Sequence, residues 1–124
     1  MWSNLYGYYE IRNDAEYTKS HPTENIVRML LETGVLLQKS PLIFENRSPF
    51  PWLNISVVYA RDGGFAVGPK STSESSTLLS VVTSKRYHQD VYLPVLTDIA
   101  KQLGWQLILE EDDEDNEQVV LYAP

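Results

Sequence analysis

Cysteine is absent from this sequence of 124 residues. The chain therefore has no disulfide framework, and thiolate catalysis and cysteine-ligated zinc or iron–sulfur sites are excluded. Long apolar runs are missing too, since no stretch approaches the roughly 18 apolar residues of a membrane-spanning helix. The first ten residues have neither the basic start nor the apolar run of a signal peptide. We therefore expect a soluble cytoplasmic protein that does not bind membranes.

Basic residues are few and scattered. The chain has 10 Lys and Arg residues against 17 Asp and Glu, for a formal net charge of −7. Lys85 and Arg86 form the only adjacent basic pair. A nucleic-acid-binding surface needs clustered positive charge to displace counterions from phosphates. The sequence therefore predicts no nucleic-acid ligand.

Catalytic and metal-binding motifs are also missing. There is no G-x-S-x-G motif, and the glycines of Gly63–Gly68 lack the Lys-Ser/Thr and the helix of a phosphate-binding loop, so a β-hairpin explains them better. His21 and His88 lie far apart in the chain and fit surface or capping roles better than metal ligation. The acidic stretch near the C-terminus contains no glycine, which an EF-hand loop requires. We predict a protein that is not an enzyme, with no catalytic residue, cofactor or metal.

Two stretches carry apolar residues at the spacing of an amphipathic helix, and they predict helices over residues 23–33 and 88–103. Gly34 and Gly104 follow these stretches as natural helix stops. Pro94 fits the first turn of the second helix if that helix begins near Asp90, and should kink it if the helix begins nearer Tyr87. The apolar positions are Ile26, Val27, Leu30 and Leu31 in the first helix, and Tyr92, Leu96, Ile99 and Leu103 in the second.

The remaining segments predict strands and turns. Strands are expected over 6–12, 52–60, 77–83, 105–109 and 119–122, with a hairpin over 61–67, a loop over 68–76 and an acidic loop over 110–118. The short apolar runs 35–37 and 42–44 are interpreted as one strand interrupted at Pro41. This order predicts a single α+β domain over residues 1–124, in which two helices pack on one face of an antiparallel or mixed β-sheet.

The negative charge is concentrated in one short segment. Seven of the 17 acidic residues lie between Glu110 and Glu117, and the 10 that remain balance the 10 basic residues. One interpretation is a solvated hairpin loop, whose charges keep strand edges from aggregating. The other is a surface that meets a basic patch on a partner, where carboxylates speed association and orient the complex.

The C-terminal third carries a resemblance. It contains Tyr87-His88-Gln89-Asp90-Val91-Tyr92-Leu93-Pro94, then Leu96, Ile99-Ala100 and Leu103-Gly104-Trp105-Gln106-Leu107, and ends in the acidic hairpin. This layout of helix, Leu-Gly-Trp, strand and acidic loop resembles the small acidic immunity proteins of bacterial polymorphic toxin systems. The resemblance implies a cytoplasmic protein that binds and neutralises a cognate toxin without catalysis of its own. Because such proteins differ in fold and interface, it transfers no functional residues.

The leading hypothesis is therefore an immunity-type protein that occludes a basic surface of a toxin, a nuclease being one such toxin. The alternative is a small-molecule-binding or regulatory domain, with a pocket between sheet and helices and residues 63–76 as a lid. Homodimerisation through an exposed strand also stays open. The candidate partner-binding residues are Glu111, Asp112, Asp113, Glu114, Asp115, Glu117, Trp105 and Tyr122.

Overall fold

The computed structural model describes residues 5–61, 64–65, 75–112 and 114–124. These residues form one α+β domain, which confirms the predicted fold class. In chain order the elements are β1 (Tyr6–Arg12), β2 (His21–Pro22), α1 (Thr23–Glu32), β3 (Leu36–Ser40), β4 (Ile43–Asn46), β5 (Leu53–Val58), β6 (Ala60–Arg61), β7 (Gly64–Phe65), β8 (Ser75–Ser76), β9 (Leu78–Ser84), a 3-10 turn (Gln89–Val91), α2 (Leu93–Leu103), β10 (Gln106–Glu111) and β11 (Glu117–Tyr122).

Seven strands form the main sheet in the order β11-β10-β1-β9-β5-β4-β3. All pairings between neighbours in this sheet are antiparallel. Two short ribbons accompany it, β2 with β8 and β6 with β7. The first and last thirds of the chain thus pair within the sheet, because β1 lies between β9 and β10.

Both helices pack on the same face of this sheet. Alternate strand residues such as Leu53, Ile55 and Val57 are buried on that face, as the period of a strand requires. They belong to one core cluster with helix residues that include Ile26 and Leu96. The other sheet face carries no helix among the described residues, and we call it the open face. Neither described helix is long and apolar enough to cross a membrane.

The helix ends follow the sequence signals. Gly34 and Gly104 both adopt the left-handed backbone conformation, which residues with a side chain rarely adopt. Helix α2 begins at Leu93, so Pro94 lies in its first turn and no kink is required. Both predicted helices are confirmed, with the second one preceded by the 3-10 turn.

Three local predictions differ from the structure. The runs on either side of Pro41 are not one strand but the two arms of a hairpin, β3 and β4, because the chain reverses at this proline. The predicted loop over 68–76 contains strand β8, which pairs with β2, and residues 66–74 lie outside the described part of the chain. The acidic loop is shorter than predicted, since β10 continues to Glu111 and β11 starts at Glu117.

Candidate functional site

The antiparallel sheet collects several distant segments at one of its ends. Tyr6 at the start of β1 is paired with Ser84 at the end of β9, and β5 begins beside them because Leu53 is paired with Thr83. Strand β10 ends and β11 begins at this same end, since β10 runs antiparallel to β1. We call it the tip end of the sheet. It places the acidic hairpin beside residues 84–92.

The hairpin turn is organised by Asp112. Its carboxylate accepts hydrogen bonds from the backbone N–H groups of Glu114 and Asn116, both at 2.9 Å, and from the side-chain amide of Asn116 at 3.0 Å. Its own backbone N–H donates to the carbonyl of Asn116 at 2.9 Å. The bonds from Asn116 and Glu114 lower the pKa of Asp112, because they favour its charged form. This carboxylate therefore has a structural role in the turn.

Glu111 and Glu117 lie directly opposite each other on β10 and β11. Like charges at such a position repel, which destabilises the strand pair. Desolvation, followed by the hydrogen bond with Asp115 and the charges of Asp115 and Glu117, raises the pKa of Glu111. We call the five described carboxylates here the acidic tip, namely Glu111, Asp112, Glu114, Asp115 and Glu117.

A groove of about 530 Å³ runs between the hairpin and the segment that precedes α2, on the helix-covered face. Glu111, Asp112 and Glu114 form its acidic wall, and Lys85 is the basic residue among its lining groups. We call it the tip groove. Its remaining lining residues are Gly7, Tyr9, Thr83, Ser84, Tyr87, His88, Gln89, Tyr92, Leu109, Val119 and Leu121.

The floor of the tip groove is closely packed around Gly7. A Cβ atom at this position would lie 2.7 Å from the Oγ1 atom of Thr83, so a larger residue would displace that side chain. Thr83 is 3% exposed, and its hydroxyl donates only a long hydrogen bond, 3.5 Å, to the carbonyl of Gly7. The floor therefore presents a buried hydroxyl whose hydrogen-bonding capacity is not fully used.

An aromatic pair lies on the open face at the same end. The rings of Tyr6 and Trp52 are 5.6 Å apart, and about two-fifths of each side chain is exposed. The hydroxyl of Tyr92 donates a 2.7 Å hydrogen bond to the carbonyl of Trp52, which ties this pair to the start of α2. Sequence reasoning did not single out either residue, although strand alternation places Tyr6 on the face opposite the buried Tyr9.

Glu110 belongs to a separate cluster on the open face. Arg12 is ion-paired with Glu10, donates a 2.9 Å hydrogen bond to the side-chain oxygen of Gln118, and lies 5.9 Å from the ring centre of Tyr17. Burial and the charge of Glu10 raise the pKa of Glu110, and Arg12 opposes this shift. We call Glu10, Arg12, Tyr17, Glu110 and Gln118 the Arg12 cluster. Glu110 and Glu111 are neighbours in the sequence, but they lie on opposite faces of the sheet.

The predicted contact residues fall into two groups. The members of the acidic tip lie together, and Asp113 falls outside the described residues. Trp105 is in the core at the other end of the sheet, 2% exposed and 5.0 Å from the His21 ring, so it is unavailable to a surface partner. Tyr122 is half-buried at the far end of β11, where its ring centre is 5.8 Å from the Lys101 amine.

Both histidines cap helical segments. The Nε2 atom of His21 donates to the carbonyl of Leu103 at the end of α2, at 2.8 Å. The Nδ1 atom of His88 accepts from the backbone N–H of Asp90 at 3.1 Å, at the start of the 3-10 turn. No group of three or more potential metal ligands occurs among the described residues.

No protein-family model, curated protein or solved structure matches this chain. The chemistry of the tip end is therefore inferred from its geometry and charge. Exposed carboxylates, a groove with an acidic wall and an exposed aromatic pair suit recognition of a cationic surface.

Proposed function

We propose that this chain is an immunity-type protein, which binds a cognate bacterial toxin and neutralises it by covering a basic surface. The observation that carries the proposal is the acidic tip. Glu114, Asp115 and Glu117 are exposed at its outer surface. Their exposure makes these three charges accessible to a partner.

A basic partner would relieve the repulsion that the hairpin carries alone. In the free protein, Glu111 and Glu117 lie opposite each other on β10 and β11. Lys or Arg side chains placed between them would convert repulsion into charge-assisted hydrogen bonds. The same field attracts a cationic protein over several ångströms and accelerates association, in a manner that salt weakens.

The aromatic pair supplies an apolar contact at the same end. Trp and Tyr side chains are enriched among the residues that dominate binding energy at interfaces. Tyr6 and Trp52 remain about two-fifths exposed, although tryptophan side chains are on average highly buried. A partner that caps the tip end could contact both this pair and the acidic tip.

The proposal is tested by affinity capture from a lysate of the native host at low and moderate salt. A variant with Glu114→Gln, Asp115→Asn and Glu117→Gln removes three exposed charges and retains Asp112, which shapes the turn. The matched control removes three exposed acids elsewhere, with Glu16→Gln, Glu24→Gln and Asp98→Asn. The captured protein is then produced separately, and its toxicity to cells is measured with and without this chain.

We expect the wild type and the control to capture a basic protein in stoichiometric amounts, and the tip variant to lose it as salt rises. We also expect co-expression of the chain to abolish the toxicity of that protein. Equal capture by the wild type and the tip variant would place the interface elsewhere. A captured protein without toxicity would refute the immunity function.

The tip groove favours a second function, a small-molecule-binding or regulatory domain. Its volume of about 530 Å³ is that of an ordinary cleft for a small molecule. This function predicts a ligand retained on purification, detectable by mass spectrometry of the denatured protein. It also predicts that a variant with Asp115→Asn and Glu117→Gln, two residues outside the groove lining, binds that ligand as the wild type does.

A further inference from the structure

We propose that the tip groove receives an arginine or lysine side chain from the partner, with Glu111 as its principal carboxylate contact. This inference rests on the proposed function and specifies the chemistry of the partner at the same site. The groove, and not only the charge of the hairpin, carries it. A protruding basic loop is the occupant that the shape and charge of the groove favour.

The charge of the groove selects a cation. Three carboxylates line one wall, and Lys85 is the opposing charge. Asp112 already accepts three hydrogen bonds within the turn, which leaves Glu111 and Glu114 as the carboxylates suited to a ligand. The groove volume of about 530 Å³ is far larger than a single metal ion needs, so a side chain with its backbone fits better.

The pairing of Glu111 with Glu117 supports the same conclusion, because like charges at opposed strand positions destabilise the strand pair. A guanidinium or ammonium group that enters the groove beside Glu111 offsets this repulsion, because it donates several hydrogen bonds and carries the opposite charge.

The other walls suit the remainder of a cationic side chain. The buried hydroxyl of Thr83 can accept a hydrogen bond at the floor, since its own bond to the carbonyl of Gly7 leaves its lone pairs unused. Tyr87, which is 41% exposed, brings an aromatic ring to the groove lining. Arginine is favoured over lysine here, because a planar guanidinium can stack on an aromatic ring while it bonds to a carboxylate.

The inference is tested with a defined probe, the peptide acetyl-Gly-Arg-Gly-Arg-Gly-amide, and with its counterpart in which citrulline replaces arginine. Binding to the full chain is followed by NMR of the 15N-labelled protein. Glu111→Gln is compared with Glu110→Gln, its neighbour, which makes the same charge change on the open face. Thr83→Val removes the floor hydroxyl with little change of shape.

The arginine peptide should shift the amide signals of Gly7, Thr83 and Lys85, and the citrulline peptide should not. Glu111→Gln should weaken binding by about tenfold or more, the effect of losing a charge-assisted hydrogen bond. Glu110→Gln should leave the affinity within about twofold of wild type. Thr83→Val should weaken it by a smaller factor, about threefold, as a neutral hydrogen bond would.

Absence of binding, equal loss in both glutamate variants, or signal changes confined to another surface would each overturn the groove as the cation site. The proposed function is judged separately, by capture and by toxicity. A toxin that is captured by the acidic tip but binds Glu111→Gln as tightly as wild type would refute the groove inference and leave the immunity function standing.

Discussion

Glu111 and Glu117 face each other across the β10–β11 hairpin, on the same side of the sheet. A strand pair is stabilised by opposite charges at such positions and destabilised by like charges. The hairpin is therefore destabilised by the repulsion between these two carboxylates. A cationic partner that bonds to both carboxylates would remove this repulsion.

Replacing one of these carboxylates should stabilise the protein. Glu111→Gln and Glu117→Gln are each expected to raise the urea midpoint of unfolding at pH 7, because the opposing charges are removed. The raised pKa of Glu111 means that the folded state holds its proton to higher pH than the unfolded chain does. The contribution of Glu111 to wild-type stability therefore falls as pH rises above the ordinary value of 4.5, and the advantage of Glu111→Gln should grow over that range.

The decisive comparison is between urea melts at pH 4 and pH 7, with Glu16→Gln as the control on a separate exposed surface. A Glu111→Gln variant that is less stable than wild type at pH 7 would show that the repulsion is compensated.

The pKa values of two adjacent acids in the hairpin should be shifted in opposite directions. Asp112 is expected to remain charged to a pH below its ordinary value of 3.8, since it accepts hydrogen bonds in its charged form. Glu111 should become protonated above its ordinary value of 4.5. Carboxyl carbon shifts measured by NMR against pH check the pKa of each group. Titration of the two groups in the reverse order would contradict the described turn.

The turn itself should depend on the side chain of Asp112. Asp112→Ala removes the acceptor for the N–H groups of Glu114 and Asn116 and should lower the urea midpoint and shift the amide signals across the hairpin. Asp112→Asn retains a side-chain oxygen and should preserve the turn while it removes the charge. Equivalent spectra for Asp112→Ala and wild type would show that the backbone alone closes the turn.

Arg12 should be important for stability. Its side chain is 8% exposed and is ion-paired with Glu10, whose side chain is 12% exposed. Arg12→Met would leave the carboxylates of Glu10 and Glu110 without their shared cation, at an expected cost of about 3–5 kcal/mol in the free energy of unfolding. Adding Glu10→Gln should recover part of that loss, because one uncompensated charge is removed. Urea unfolding of the two single variants and the double variant tests this coupling.

Replacement of one tryptophan should affect mainly stability, and replacement of another should affect mainly binding. Trp105 is in the core, so Trp105→Ala should reduce the free energy of unfolding by about 3–5 kcal/mol without altering the affinity of the folded protein for its partner. Trp52 is partly exposed beside Tyr6, so Trp52→Ala should affect stability less and weaken the complex. Urea unfolding and titration calorimetry with the captured partner separate the effects. A complex insensitive to Trp52→Ala would exclude the aromatic pair from the interface.

Much of the architecture could be predicted from local patterns. The apolar spacing before Gly34 and Gly104 identified both helices, and the alternation of Leu53, Ile55 and Val57 identified a central strand and its buried face. These predictions succeeded because helix and strand periods are local properties of the chain. The pairing of strands was harder to predict from the sequence, as the hairpin at Pro41 shows. Two short apolar runs do not reveal whether the chain continues or reverses between them.

The candidate site was only partly predictable for the same reason. The concentration of acids was evident from the sequence, but the extension of β10 to Glu111 was not, because the strand is stabilised there by pairing with β11. That extension decides which side of the sheet each carboxylate faces. The core position of Trp105 was similarly hidden, since an aromatic residue that follows a helix gives no local indication of whether it faces solvent or helix.

The sequence by itself determined the helices, the class of fold and the confinement of the net charge to one short segment, because each depends on the order of neighbouring residues. Only the tertiary structure decided that Glu110 joins the Arg12 cluster while Glu111 lines the tip groove. It also brought Gly7, Thr83 and Tyr87 opposite the acidic hairpin. These relationships arise from pairing between strands that are remote in the chain, and the free energy of that pairing is set by the packed sheet as a whole.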